Sequence, residues 1–405
     1  MNSRLASLQT YPFQKLAELL RNTPAAPGKS AIRLSMGEPQ HPAPAFVLKA
    51  LTQHLDGLSH YPLTRGMTEL RQAIAGWATR RFKLDRVKLD PERHVLPVAG
   101  TREALFSIAS AVIDRRAHDD QPVVIMPNPF YQIYEGAALL AGARPFFLNT
   151  TAANGYRMDF SQVPDDLWPH VQLVYTCSPG NPTGAVMTDD EYVRLIELAD
   201  EHNFIIASDE CYSEIYFDEA APPPGLLEVA NRLGRQDYRR CLVFHSLSKR
   251  SNLPGLRSGF VAGDAEILEK YLQYRTYQGC ALPPPTQHAS IAAWSDEEHV
   301  RANRALYRQK FDAVLEILAP VLPVERPQAG FYLWPELPQD DETFARELYA
   351  RQNVLVLPGS YLARHAQGEN PGSRRARLAL VAPVAECLEA AQRIRTHVES
   401  QSAVA

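Results

Sequence analysis

The chain has 405 residues, with 42 Lys and Arg against 46 Asp and Glu, a formal net charge of -4 and 45% hydrophobic residues. That composition suits a soluble globular protein and provides no global attraction to nucleic acid or anionic lipid. The length exceeds one ordinary core, so a large domain, a smaller one and a cleft between them are expected.

Taken in chain order, Val47, Leu48, Leu51, Leu55 and Leu58 recur at helical spacing and predict an amphipathic helix over 45–58; Leu105, Ile108 and Val112 predict another over 101–113. Four short aliphatic runs predict buried strands: PVVIM from 122, VQLVY from 171, FIIAS from 204 and CLVFHSL from 241. Between the second and third, Thr188 and Glu191 form a T-x-x-E capping box that opens the helix DDEYVRLIELADEH. Strand, helix, strand at this spacing predicts a parallel α/β sheet. The three prolines of ALPPPTQ, 281–287, predict a boundary, because they continue neither a helix nor a central strand. Beyond them a long helical segment followed by GFYLW and RLALV predicts an α+β unit, while the residues before 45 are free to join either part.

No apolar run approaches a membrane span, and the first twenty residues lack a signal peptide's apolar region, so a cytoplasmic protein is expected. The five cysteines, Cys177, Cys211, Cys241, Cys280 and Cys387, are odd in number and contain no CxxC pair. They read as reduced thiols rather than a disulfide framework or a zinc site, and no metal is expected.

Ligands of open parallel sheets bind beyond the carboxyl ends of the strands. Here those ends read TCSPGNPTG, DECY and SKRSNLPGLR, which supply Asn181, then Asp209 and Tyr212, then Ser246, Lys249 and Arg257. The set fits an aldehyde cofactor with a pyridine ring and a phosphate. Lys249 would condense with the aldehyde, which needs a neutral amine and so a lowered pKa. Asp209 would keep the ring nitrogen protonated, Asn181 and Tyr212 would bond the ring hydroxyl, and Ser246 and Arg257 would hold the phosphate. Gly100, Thr101 and Arg102 open the predicted helix at 101, whose free N–H groups offer a second phosphate seat. Each piece alone has a plain alternative: a surface lysine, a turn at NPTG, a helix cap at Asp209. Their convergence on one half-sheet favours the joint reading.

SPGNPTG, SDECY, SLSK eight residues before an arginine, and YPLTRGMTELRQAI together resemble the class I/II aminotransferases of fold type I, which depend on pyridoxal 5'-phosphate. The resemblance runs from SMGEPQHPAP to RLALV. It implies an α/β fold with a large domain around a mostly parallel seven-stranded sheet, over 45–285, and a small α+β domain from 1–44 and 286–405. It also implies a homodimer with the active site at the subunit interface, acting on amino acids and 2-oxo acids. By the same resemblance Tyr131 stacks on the cofactor ring, Tyr61 reaches the phosphate of the neighbouring subunit, and Gly37, Asn181 and Arg377 meet the substrate carboxylate. Arg374 and Arg375, beside Arg377, are expected in solvent.

LQTYPFQKL, LSMGEPQHPAP, YPLTRG and GNPTGAVM are similar to the bacterial succinyldiaminopimelate aminotransferases of lysine biosynthesis. A substrate of that class carries a remote carboxylate, for which Arg33, Arg65 and Arg275 are candidate partners. Aspartate or aromatic aminotransferases would use the same core, and a carbon–sulfur lyase shares the fold and the lysine. A regulator that binds the same cofactor would add a basic DNA-binding segment, of which this sequence has no sign.

Overall fold

In a computed structural model that describes residues 1–115 and 121–402, seven strands form one sheet. Across the sheet they run Val95–Val98, Gly259–Gly263, Cys241–Ser246, Ile205–Asp209, Val171–Cys177, Val123–Asn128 and Arg144–Asn149. Gly259–Gly263 is antiparallel to both its neighbours, and the remaining pairings are parallel. The four strands expected from aliphatic runs are the centre of this sheet. Successive side chains alternate between faces. Val123 and Ile125 accordingly join one apolar cluster and Val124 and Met126 another. A sheet buried on both sides reads as a continuous apolar run, which is why these strands show in the sequence.

Glycine sits at both ends of the antiparallel strand for a steric reason. A Cβ at Gly259 would press on the His245 carbonyl, and one at Gly263, where φ is +139°, would strike the carbonyl of Cys241. The two strands meet only because those side chains are missing.

The capping box closes as expected: the Thr188 hydroxyl accepts from the Glu191 N–H at 3.3 Å, and the Glu191 carboxylate accepts from the Thr188 N–H at 2.7 Å. It opens the helix Asp189–His202, which joins two parallel strands. The helix expected over 101–113 spans Thr101–Val112. The one expected over 45–58 stops at Gln53 and continues as a tighter turn over Leu55–Ser59. Val47 is buried in the large core and Leu51 packs against it, whereas Leu48, Leu55 and Leu58 are exposed, so only part of the apolar spacing marks a core-facing stripe.

The three prolines at 283–285 start a helix, Pro284–Trp294, instead of ending a unit. Proline suits a first helical turn, whose N–H groups lack partners anyway. Its Ala289, Ala293 and Trp294 belong to a core cluster of the large sheet. The expected break at 285/286 therefore falls inside this helix.

A second apolar cluster joins the chain's two ends. Ile32–Arg33 pairs in parallel with Val354–Leu355. Ile32 and Leu34 pack with Phe311, Leu333, Leu348, Leu378 and Ile394. A three-stranded antiparallel sheet, ordered Leu357–Pro358, Ala376–Ala379, Tyr332–Leu333, lies against it. No helix among the described residues is long and apolar enough to cross a membrane.

Candidate active site

A cleft of about 640 Å³ lies at the carboxyl ends of the parallel strands, and the segments around Tyr11–Phe13, Met36–Glu38, Tyr332 and Arg377 form its other wall. A groove of about 680 Å³ beside Trp168 and His202 is larger, yet no parallel-strand end opens into it. Chemistry, not size, distinguishes the two.

At the floor, the strand Ile205–Asp209 ends on Asp209, which is 4% exposed. Its carboxylate accepts from the Tyr134 hydroxyl at 2.6 Å and from the Cys211 N–H at 3.2 Å. Burial pushes the Asp209 pKa up, and those donors oppose the rise. A cation placed against this carboxylate would keep it ionised. The next strand, Cys241–Ser246, runs straight into a one-turn helix, Leu247–Arg250, capped by the Ser246 hydroxyl accepting from the Ser248 N–H at 3.1 Å. That turn carries Lys249, whose amine donates to the Gly37 carbonyl and stands 5.2 Å from the centre of the Phe331 ring. Burial, aided by Arg377 and Arg102 and opposed by Cys211 and Glu38, lowers the Lys249 pKa to about 8. A measurable fraction of neutral amine therefore exists near pH 7, as attack on a carbonyl requires.

One end of the cleft is made of hydroxyls and unpaired N–H groups. Gly100, with φ +84°, caps the twelve-residue helix Thr101–Val112 with no side-chain bond to its first N–H groups, and Thr101 and Arg102 of that first turn line the cleft. A Cβ at Gly100 would collide with the Arg257 guanidinium. Arg257 itself adopts φ +51°, a region that non-glycine residues occupy sparsely, and one of its nitrogens donates to the Pro254 carbonyl at 2.9 Å. Ser246 and Ser248 share a 2.9 Å hydrogen bond beside it. Helix terminus, guanidinium and paired hydroxyls form an anion seat built by glycine and a strained arginine.

The opposite end holds Arg377, 5% exposed, on the strand Ala376–Ala379. Its guanidinium donates to the Asn181 side-chain carbonyl at 3.1 Å and to the Ser35 carbonyl at 2.8 Å, while its Nε has no partner. The fork is held in place with donor capacity to spare. Tyr212 and Tyr332 face each other with hydroxyls 3.0 Å apart. At the mouth Arg102 donates from Nε to the Tyr131 hydroxyl at 2.7 Å.

Gly37, Thr101, Arg102, Tyr131, Asn181, Asp209, Tyr212, Ser246, Lys249, Arg257 and Arg377 all line this one cleft, and Gly100 backs it against Arg257. Tyr61 does not; it is fully exposed and outside the lining of its own chain's cleft. Nor do the three candidate partners for a remote carboxylate. Arg275 is buried against Glu103 at 2.7 Å, Arg65 turns to Glu92 at 3.7 Å, and Arg33 sits on an exposed edge position. Arg374 and Arg375 stay out of the cleft, donating to the Leu337 and Trp334 carbonyls. The sequence reading passed over Tyr134, Ser248 and Tyr332, which complete the site. Ser248 stood inside the quoted SLSK, whereas nothing in the spacing of the two tyrosines marks them.

The carboxylate at the floor, the lysine amine of the cleft and the anion seat fit a phosphorylated pyridine aldehyde, with glycine keeping the space at Gly100 open. The sequence profile described as aminotransferase class I and II matches residues 29–394. An LL-diaminopimelate aminotransferase of Desulforudis audaxviator is 30% identical over 398 residues, covering 97% of this chain and 96% of that protein. The crystal structure of an aminotransferase from Neisseria meningitidis superposes with a TM-score of 0.94 at 47% identity, over 98% of this chain and 100% of that one. A structure described as a probable N-succinyldiaminopimelate aminotransferase from Thermus thermophilus superposes with a TM-score of 0.83 at 28% identity, over 95% and 99% of the two chains. The chain belongs to the class I and II aminotransferases, and its cofactor is pyridoxal phosphate.

Proposed function

We propose that this aminotransferase moves the amino group of N-succinyl-LL-2,6-diaminopimelate to 2-oxoglutarate, a step of lysine biosynthesis. The observation that carries the choice of substrate is Arg102: it lines the cleft mouth, bonds a tyrosine hydroxyl, and takes part in no ion pair among the described residues. Succinylated and free diaminopimelate both have a remote carboxylate to place there; the succinylated donor adds a second one on its succinyl group and lacks the remote ammonium of free diaminopimelate. Glu38 is the cleft acid left over for such an ammonium once Asp209 is committed. The Thermus neighbour's description supports the succinylated donor. The names of the 30% identical relatives favour LL-diaminopimelate itself, which is the second reading.

In this reading the substrate's α-carboxylate lies in the Arg377 fork, with the Gly37 backbone and Asn181 alongside. Pyridoxal phosphate supplies the aldehyde that carries the amino group and a ring that takes up an electron pair. Asp209 holds a proton on the ring nitrogen, and Tyr212 and Asn181 donate to the ring oxygen. Ser246, Ser248, Arg257 and the helix terminus at Gly100, Thr101 and Arg102 hold the phosphate. Tyr131 covers the ring from the mouth. Lys249, as a neutral amine, would take the proton from the substrate's α-carbon and later give it back, and a second oxo acid would reverse the sequence. Tyr61 belongs, in this scheme, to the cleft of a second copy in a homodimer.

Holoenzyme with 2-oxoglutarate, assayed against succinyldiaminopimelate, free LL-diaminopimelate, acetylornithine, aspartate and phenylalanine, tests the assignment. The succinylated donor should give the highest kcat/KM. A higher value for free diaminopimelate would transfer the chain to the second reading, and one for aspartate or phenylalanine would remove both.

A further inference from the structure

Tyr332 touches two of the cleft's side chains, Arg377 and Tyr212. It lies on the strand Tyr332–Leu333, which pairs with the strand carrying Arg377 in the register Tyr332 opposite Ala379. Arg377 and Ala379 share a face, so the Tyr332 ring reaches Arg377 diagonally. The guanidinium carbon stands 4.6 Å from the ring centre, over a buried aromatic face. A cation so placed is both attracted and held in plane. At its other end the Tyr332 hydroxyl is 3.0 Å from that of Tyr212. The position of that hydroxyl is constrained by Gly37, where any Cβ would strike it. Gly37 is also the residue whose carbonyl accepts from Lys249.

Only one proton assignment lets Tyr212 do what the reading above asks. If the Tyr212 O–H is spent on the cofactor's ring oxygen, its own oxygen is left as an acceptor, and Tyr332 is the donor 3.0 Å away. Both phenols are buried, and burial raises the pKa of each, that of Tyr212 well above its ordinary value, so each remains an O–H group. Hydrogen bonds in such a chain strengthen one another.

We propose that Tyr332 is a positioning residue with two functions, its hydroxyl orienting Tyr212 toward the ring oxygen and its ring seating Arg377 for the substrate carboxylate. The proposal rests on the assignment of Tyr212 and Arg377 given above. It makes the two functions separable. A donor to the ring oxygen spreads the negative charge there and loosens the hold on the proton beside it. Loss of that donor, or of the residue that aims it, keeps the proton bound to higher pH.

The test is a spectrophotometric pH titration of the holoenzymes of wild type, Tyr212→Phe, Tyr332→Phe and Tyr332→Leu, with KM and kcat for the amino donor alongside. In Tyr332→Phe the midpoint of the visible band should rise by roughly half a pH unit, in the same direction as the larger rise in Tyr212→Phe, while KM stays within about twofold. In Tyr332→Leu the same midpoint shift should come with a KM raised about tenfold, since the seat of Arg377 is lost too. Should the leucine variant not fold, Tyr332→Met, flexible and of similar volume, takes its place. A midpoint that moves in Tyr212→Phe and not in Tyr332→Phe overturns the hydroxyl's function and leaves the Tyr212 assignment standing. A midpoint unmoved in both overturns the assignment as well. A KM that is the same in the phenylalanine and leucine variants overturns the function of the ring.

Discussion

The Lys249 amine donates to the backbone carbonyl of Gly37 across 212 residues of sequence, tying the turn that carries Lys249 to the segment that enters from the chain's N-terminal side. Gly37 offers that carbonyl from a position with no room for a side chain, because the Tyr332 hydroxyl occupies the place of its Cβ. Gly37→Ala should therefore displace the segment or the tyrosine and lower kcat/KM by about 100-fold, the usual penalty of a misplacement near 1 Å. Fluorescence titration of cofactor binding would be little changed, since the anion seat lies at the other end. Wild-type turnover in the alanine variant would refute the packing argument.

Lys249 titrates near 8 rather than 10.5 because it is buried beside two arginines. Only the neutral amine attacks an aldehyde, so the rate at which apoenzyme captures pyridoxal phosphate should climb about tenfold per pH unit below pH 8 and level off above it. Stopped-flow absorbance between pH 6 and 10 follows it directly. A midpoint close to that of a solvated lysine would mean that the enclosure does not tune this amine. Lys249→Ala should bind the cofactor without the visible band and without transamination.

How legible all this was in the sequence depends on how local the cause is. Asn181, Asp209 and Lys249 follow apolar runs that announce strand ends, and the strand-end rule then gathers them. Gly259–Gly263 escaped notice because two of its five residues are glycine, chosen for contact with the neighbouring strand rather than for burial. Tyr134 and Tyr332 look like any core aromatic until the fold brings their hydroxyls to Asp209 and Tyr212. Arg65 and Arg275 lie outside their own chain's cleft, and a sequence displays a charge without its partner: Glu92 and Glu103 engage them here.

Asp209 should matter through its charge rather than its shape. Asp209→Asn keeps the shape of the side chain and one of its two acceptor oxygens but removes the anion proposed to hold a proton on the ring nitrogen, and turnover should fall about 100- to 1,000-fold. The cofactor should still bind, since the phosphate seat is untouched. Single-turnover kinetics on the purified variant would show it, and a loss below tenfold would sink the pairing.

Arg377 and Arg102 should separate by donor. Arg377→Leu should weaken every amino donor, because each has an α-carboxylate. Arg102→Leu should raise KM about 10- to 100-fold for donors with a remote carboxylate, the range of a charge-assisted hydrogen bond. It should leave alanine or leucine as donors nearly unchanged. Equal losses across the donor panel would show that Arg102 serves the cofactor through its side chain as well as its backbone.

Lys310 makes a case about stability away from the reaction. It is almost wholly buried on the helix Glu298–Leu318, where its amine donates to the Val381 carbonyl at 3.1 Å and stands 5.0 Å from the Tyr307 ring centre. Burial lowers its pKa to about 8, with only the Cys387 thiol opposing. The unfolded chain, with an ordinary lysine at 10.5, binds more protons than the folded one between pH 8 and 10.5, so the folded state is penalised in full below 8 and gains stability as pH rises through that window. Lys310→Met keeps the length of the side chain and removes the buried charge. Against a lost hydrogen bond of about 1 kcal/mol, the relieved desolvation should leave the variant more stable at pH 7 by about 1 kcal/mol, or roughly 2 °C in Tm. The advantage should shrink at pH 9.5, where the wild-type amine is neutral. Scanning calorimetry at the two pH values decides it: a methionine variant that melts below wild type at pH 7, or whose difference from wild type does not change with pH, would show that the lysine's hydrogen bond outweighs the cost of its charge.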